Sequence, residues 1–328
     1  MRVAVLGLGA GGARAARQLA STDSVEEVVV RDLRPARVDE VAASLGDKAT
    51  GERGPYNAPV EADVVVLAVP AGLHVELAGP LVARGIPVVS MSDAVEDVRG
   101  LLDFGPEAEA RGIPVVIGAG FAPGLTCVLA AQAAAGFESV DEIHVARLGT
   151  GGPACARQHH RALRGSAIDW RDGGWVRRPA GSGRELSWFP DPVGPADCYR
   201  AALPDALLLV PVFPGISRVT ARLAANRRDR LTSRLPMLRP PHPEGGVGAV
   251  RVEVRGRVGG SSRVGIYGAI DRPGVAGGAV AALAAVEAAR GNLARPGAGG
   301  LAGLVDSSGF LIELARRGVK VAMFEGAG

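Results

Sequence analysis

The sequence predicts an α/β protein: a Rossmann-type doubly wound parallel sheet first, then a second, α+β unit with a mixed or antiparallel sheet. Three observations carry this. Through roughly the first 120 residues, short apolar runs alternate with helix-like stretches, and continuous apolar runs suit strands buried on both faces. A different rhythm, period-two alternation, appears at 250–260, which suits a strand with one solvated face. At 328 residues the chain exceeds one comfortable core, so two domains fit it better than one.

The elements follow in order. Residues 2–6 form the first strand, and 13–21 a helix. The strand at 25–30 ends at Arg31-Asp32, and the helix at 35–45 carries Val38, Val41 and Leu45 on one face. "ADVVVLAVP" (62–70) is the next strand, 75–84 a helix, "IPVVSMSD" (86–93) a strand, 95–111 one helix and "IPVVIGAG" (113–120) a strand. Such alternation means right-handed βαβ units. Further on, 139–149 alternates as a strand and 149–165 reads as a loop. The apolar segment 206–225 gives way to a helix. Residues 250–260 and 261–271 form a hairpin, a helix covers 276–290, and "PGAGGL" (296–301) breaks the chain before a last helix.

Composition excludes several classes. A net charge of +3, with no basic stripe interleaved with aromatics, argues against a nucleic-acid partner. The longest apolar runs are broken by Pro, His or Glu too soon to span a bilayer, and because the sequence opens directly on a strand, no signal peptide is expected. Cys127, Cys155 and Cys198 are odd in number, which suits a reducing, cytoplasmic setting. With neither a Cys-x-x-Cys pair nor a His-x-x-x-His helix, no metal is expected. Lys48 and Lys320 are the only lysines, so lysine-based chemistry has few candidates.

The chemistry starts at Gly7-Leu8-Gly9-Ala10-Gly11-Gly12. Gly7, Gly9 and Gly12 fit G-x-G-x-x-G. The first allows a tight turn, the second clears space for a pyrophosphate, and the third lets helix and strand pack closely, while the helix start offers N–H donors. Asp32, about 20 residues on, ends the next strand, where it would accept from ribose hydroxyls. The cofactor expected is NAD or NADP. NAD is favoured because a 2′-phosphate would meet Asp32, although Arg31 and Arg34, around Leu33, could offset that by turning inward. Ala68, Val69, Pro70 and Ser90 end later strands, at the crevice where such sheets bind ligands.

Through "AVPAGLH" (68–74), "VVSMSD" (88–93) and "VIGAGFAPGLTCVLA" (116–130), the chain resembles the saccharopine dehydrogenase-like family, as a short bacterial member. Its Gly-Phe-x-Pro-Gly-Leu turn reads here Gly120-Phe121-Ala122-Pro123-Gly124-Leu125. The resemblance covers about 1–130 and continues more weakly through 189–205 and the C-terminal third. It implies a Rossmann domain over 1–130 and an α+β substrate and dimerisation domain over 131–295, with a homodimer built on its open sheet. The segment 296–328 would fold back on the first domain. It also implies NAD(P)-linked redox chemistry at a C–N bond of an amino-acid-derived or opine-like small molecule. Two positions depart from the family. Ser90 stands where an acidic residue is common, and Arg34 comes one place late after Asp32-Leu33.

Candidate site residues follow. His74 and Asp93 lie on crevice loops, and His159 and His160 in 149–165; each can carry or hold a proton, and adjacent histidines cannot both face one site. Because substrates of the family carry carboxylates, Arg157 and Arg161 are candidate clamps, arginine being suited to bidentate binding. Phe121 would border the substrate. Trp170, Trp175, Trp188 and Tyr199 could line a pocket, with packing the plainer use. The alternative functions are an enoyl or keto reductase of a lipid or natural-product pathway, and a non-catalytic dinucleotide-binding sensor or scaffold.

Overall fold

The computed structural model describes residues 1–237 and 240–324; the last four residues of the expected fold-back segment lie outside them. The first half builds β1 (Arg2–Leu6), α1 (Ala10–Ala20), β2 (Glu27–Asp32), α2 (Pro35–Leu45), β3 (Ala49–Arg53), β4 (Val64–Leu67), α3 (His74–Ala83), β5 (Val88–Ser90), α4 (Val95–Leu102), α5 (Gly105–Ala110) and β6 (Pro114–Ile117). Their strands pair in parallel in the order β6-β5-β4-β1-β2-β3. Val3, Val5, Val28, Val30, Val64 and Val66 are completely buried, as strands covered on both faces must be. The strand order reverses at β1 and β4, which opens a ligand crevice at their C-terminal ends.

The second half continues with α6 (Leu125–Ala134), β7 (Ser139–Leu148), α7 (Pro153–Ala162), β8 (Ser166–Arg171), β9 (Gly174–Pro179), β10 (Glu185–Trp188), β11 (Pro195–Arg200), α8 (Asp205–Leu209), β12 (Arg218–Ala224), α9 (Arg227–Thr232), β13 (Gly248–Val258), β14 (Ser261–Asp271), α10 (Pro273–Arg290), β15 (Gly297–Gly300), α11 (Ser307–Arg316) and β16 (Val321–Phe324). The second sheet runs β10-β11-β12-β7-β13-β14-β16, with β8 on β12 and β9 on β8. Among the described residues only β12 and β7 pair in parallel there, so it is the mixed sheet the sequence predicts. β15 joins the first sheet, parallel to β6.

Five local readings are corrected. Within 149–165, residues 153–162 are helix rather than loop; Pro153 opens α7, where its fixed φ suits a first turn. Residues 218–224 are strand rather than helix. Their Val219, Thr220, Ala221, Arg222 and Leu223 are all buried, so tertiary burial overrides the helix-like alanine and arginine content. β3 is an extra strand. The helix expected over 95–111 breaks between Leu102 and Gly105, and Pro106 sits in the first turn of α5. Finally, the glycine run at 297–300 is β15. A Cβ at Gly300 would lie 2.9 Å from Leu208 Cβ, so only glycine lets this strand sit against α8.

Helix α10 is buried nearly all round and packs against α1, β4, β5 and α11. Its small residues make that possible. A Cβ on Gly278 would lie 2.6 Å from Arg14 Cβ, and one on Gly274 would lie 3.3 Å from Ala10 Cβ. Trp170 and Trp175 pack edge to face at 5.0 Å, Arg230 covers Tyr199 at 4.1 Å, and Trp188 is exposed.

Candidate active site

One cavity of about 760 Å³ runs along the C-terminal ends of the first sheet and under α7 and the start of α10. At one side is the glycine loop. Gly7 N–H donates to Arg31 O (2.8 Å), and a Cβ on Gly12 would lie 1.8 Å from Gly7 O. Both therefore serve the turn and the close helix approach. Around Gly9 a Cβ would meet nothing within 4 Å, so the wall is open there. Leu8, Ala10 and Gly11 complete this wall.

Asp32 is buried beside that loop. Its Oδ2 accepts from Leu8 N–H (2.8 Å), its Oδ1 accepts from Arg34 N–H (3.0 Å), and Arg37 lies 3.5 Å from Oδ2. The carboxylate thus braces the turn as well as facing the cavity. Arg31 does not turn inward. It pairs with Glu52 and donates to Ala58 O and Pro59 O, whereas the exposed Arg34 and the half-buried Arg37 do border the cavity with Leu33 and Tyr56. Arg37 and Tyr56 were not singled out from the sequence. Arg37 sits one helical turn from the acidic strand end, a signal that could have found it.

On the β5 side, Ala68, Val69 and Pro70 line the cavity together with Met91, Asp93, Phe121 and Ala122. Here the structure brings together residues far apart in sequence. His159 Nε2 lies 3.0 Å from Asp93 Oδ2 and 3.5 Å from Cys155 Sγ. Spacing of four places Cys155 and His159 on one face of α7. Arg147, from β7, is buried; it donates to Ala122 O, and its Nη2 lies 3.5 Å from Asp93 Oδ2. Its Nε and Nη2 have no hydrogen-bond partner among the described residues. Burial works against charge on both His159 and Asp93. For His159 it is outweighed by Cys155 and Asp93, which raise the imidazole to about 9. For Asp93 it is outweighed by His159 and Arg147, which hold the carboxyl below its usual range.

Other candidates stand apart. His74 is buried and absent from the cavity wall; its Nε2 lies 3.0 Å from Val69 O and its Nδ1 2.9 Å from Ser90 Oγ. Burial lowers its pKa, which suits a neutral ring donating to Val69 O and accepting from Ser90. Ser90 is consumed by that contact. His160 faces away, with Nε2 2.8 Å from Leu235 O, because adjacent helical residues diverge. Arg157 lines the main cavity, while Arg161 lines a separate one of about 400 Å³. Arg147 had no sequence signal beyond its place in an alternating strand.

A family model described as NADP oxidoreductase, coenzyme F420-dependent, matches residues 2–93. Saccharopine dehydrogenase (L-Glu forming) from Saccharomyces cerevisiae superposes with a TM-score of 0.71 at 15% identity, covering 99% of this chain and 100% of that one. The chain has the fold of saccharopine dehydrogenase. DAP dehydrogenase from C. glutamicum matches at a TM-score of 0.47 and 15% identity, over 96% of this chain and 95% of that one. No helix among the described residues is long and apolar enough to cross a membrane.

Proposed function

We propose that the chain is an NAD(P)-dependent oxidoreductase that moves a hydride to or from the carbon of a C–N bond in a small, amino-acid-derived substrate. The observation that carries this reading is the continuity of one cavity from the Gly7–Gly12 loop and Asp32 to the Asp93, Arg147 and His159 cluster. The amides at the start of α1 would take the pyrophosphate, and Asp32 the adenosine ribose. A 2′-phosphate placed about 4 Å from Asp32 would be repelled by about 4 kcal/mol at an effective dielectric near 20, so NAD is preferred, with Arg34 and Arg37 softening the preference.

A bound nicotinamide would give or take the hydride, and the protein would position it and handle charge. Arg147 and Arg157 hold the substrate carboxylate, and Phe121 packs beside the substrate. The reacting nitrogen faces the Asp93–His159 pair, which holds a proton at His159 Nε2. This set of roles rests on cavity placement and on the cofactors of the fold. Oxidation of NADH and NADPH with a panel of 2-oxo acids plus amines, and the reverse reaction with amino acids, tests it. Turnover is expected with at least one carboxylate-bearing imine pair, and with NADH ahead of NADPH. Tight coenzyme binding without turnover on any member of the panel would count for a non-catalytic role instead.

A further inference from the structure

We propose that Asp93, Cys155 and His159 form a zinc site on the β5 side of the cavity. It takes its chemical role from the oxidoreductase reading, but its existence does not depend on that reading. The decisive feature is convergence. In a nucleophile–histidine–carboxylate relay, the nucleophile and the carboxylate take opposite ring nitrogens. Here Cys155 Sγ and Asp93 Oδ2 both approach Nε2, so three donor atoms surround one point.

The distances fit a metal. Zinc bonds of about 2.3 Å to sulfur and about 2.0–2.1 Å to nitrogen or oxygen, at tetrahedral angles, separate S from N by about 3.5 Å and N from O by about 3.3 Å. The observed separations are 3.5 and 3.0 Å, and all three ligand atoms lie within 4.8 Å of one another. A thiolate, an imidazole and a carboxylate together form a donor set that suits zinc. Three protein ligands leave the fourth position for water or substrate, the mark of a catalytic rather than a structural zinc site. All three residues line the cavity, so that position opens onto the space where the C–N bond would lie.

The surroundings hold the ligands in place. Cys155 and His159 share one face of α7. A Cβ on Gly152, at the start of that helix, would lie 2.8 Å from Ala10 Cβ and 3.0 Å from Pro243 O, so the helix start is seated closely against the glycine loop. Arg147 sits behind Asp93 at 3.5 Å, where it can orient the ligating carboxylate as outer-shell groups do. The thiolate and carboxylate offset the two charges of the ion, and Arg147 adjoins them as a further cation. With zinc bound, His159 Nε2 would ligate the ion in place of its proton, and the ion would supply the polarisation that the proton otherwise gives. Spacing rules miss this set because one ligand lies on β5's exit loop and the other two on α7.

The test uses full-length protein stripped with a chelator, then titrated with zinc or cobalt(II). One equivalent per chain is expected, with a thiolate-to-cobalt charge-transfer band in the near ultraviolet. Cys155→Ser should abolish the band, and Cys155→Ser and His159→Gln should each weaken binding by about 100-fold or more, with melting curves confirming that both variants fold. Arg161→Ala, outside the cavity, should change neither. Absence of the band in the wild-type chain, or metal binding that survives both substitutions, overturns the proposal. Fluorescence titration of the metal-free protein with NADH keeps the two readings apart. Loss of coenzyme binding with an intact cobalt site sinks the oxidoreductase reading alone, and the converse sinks the zinc site alone.

Discussion

Asp32 does two things at once. It accepts hydrogen bonds from Leu8 and Arg34 amides, which fix the turn, and it presents its remaining acceptor capacity to the cavity. Its loss therefore costs both the ribose contact and the order of the loop. Hydrogen bonds to charged groups contribute about 1.5–3 kcal/mol each, so Asp32→Ala should weaken NADH binding by roughly 10- to 150-fold while weakening NADPH binding less, because Arg34 and Arg37 remain. Fluorescence titration with both coenzymes checks this, and an unchanged NADH affinity contradicts it. The roles of single residues were unequally legible. Glycines and one acid at a strand end carry a pattern that backbone chemistry imposes. Arg147 carries none, because burying a guanidinium against Ala122 and Asp93 is a decision of tertiary structure.

Elements were legible where period and punctuation agree, as in β1, β13, β14 and α2. They were misread where composition and environment pull apart. β12 contains alanine and arginine, which favour helix, yet both its faces are covered and Arg222 pairs with Asp169 at 3.4 Å. β15 is nearly all glycine, which favours a turn, yet α8 leaves room for nothing larger. The same closeness governs α1 and α10, whose contact depends on Gly278 lying against Arg14 and Ala15. Gly278→Val would force side chains into that seam. Overpacking of this kind costs about 1–3 kcal/mol. A lower denaturation midpoint is expected, together with weaker coenzyme binding, since α1 supplies the amides at the glycine loop. A variant as stable as the parent would show that the seam is looser than the contacts imply.

At the scale of the whole molecule, the two sheets are tied together rather than merely linked. α10 lies against the first sheet's helices and strands, β15 returns to β6, and β16 goes on to β14. Asp205, on α8, is set in this junction. It is completely buried, its Oδ1 accepts from Thr126 Oγ1 at 3.0 Å, and its Oδ2 has no hydrogen-bond partner among the described residues. Burial raises its pKa, and Arg147 and the Thr126 hydrogen bond only partly oppose this. In the unfolded chain the same carboxyl titrates near 3.9. Above about pH 3.9 the unfolded state therefore releases its proton before the folded state does, and stability falls as pH climbs toward the raised folded value. Asp205→Asn keeps an acceptor for Thr126 and removes the charge. It should add about 1–3 kcal/mol at pH 7 and less at pH 4, because the raised native carboxyl carries its charge for less of the time there. Urea unfolding at both pH values measures the difference. A loss of stability at pH 7 would mean that the ionised carboxylate is needed there as a counter-charge for Arg147, and that the junction is held by charge rather than by packing.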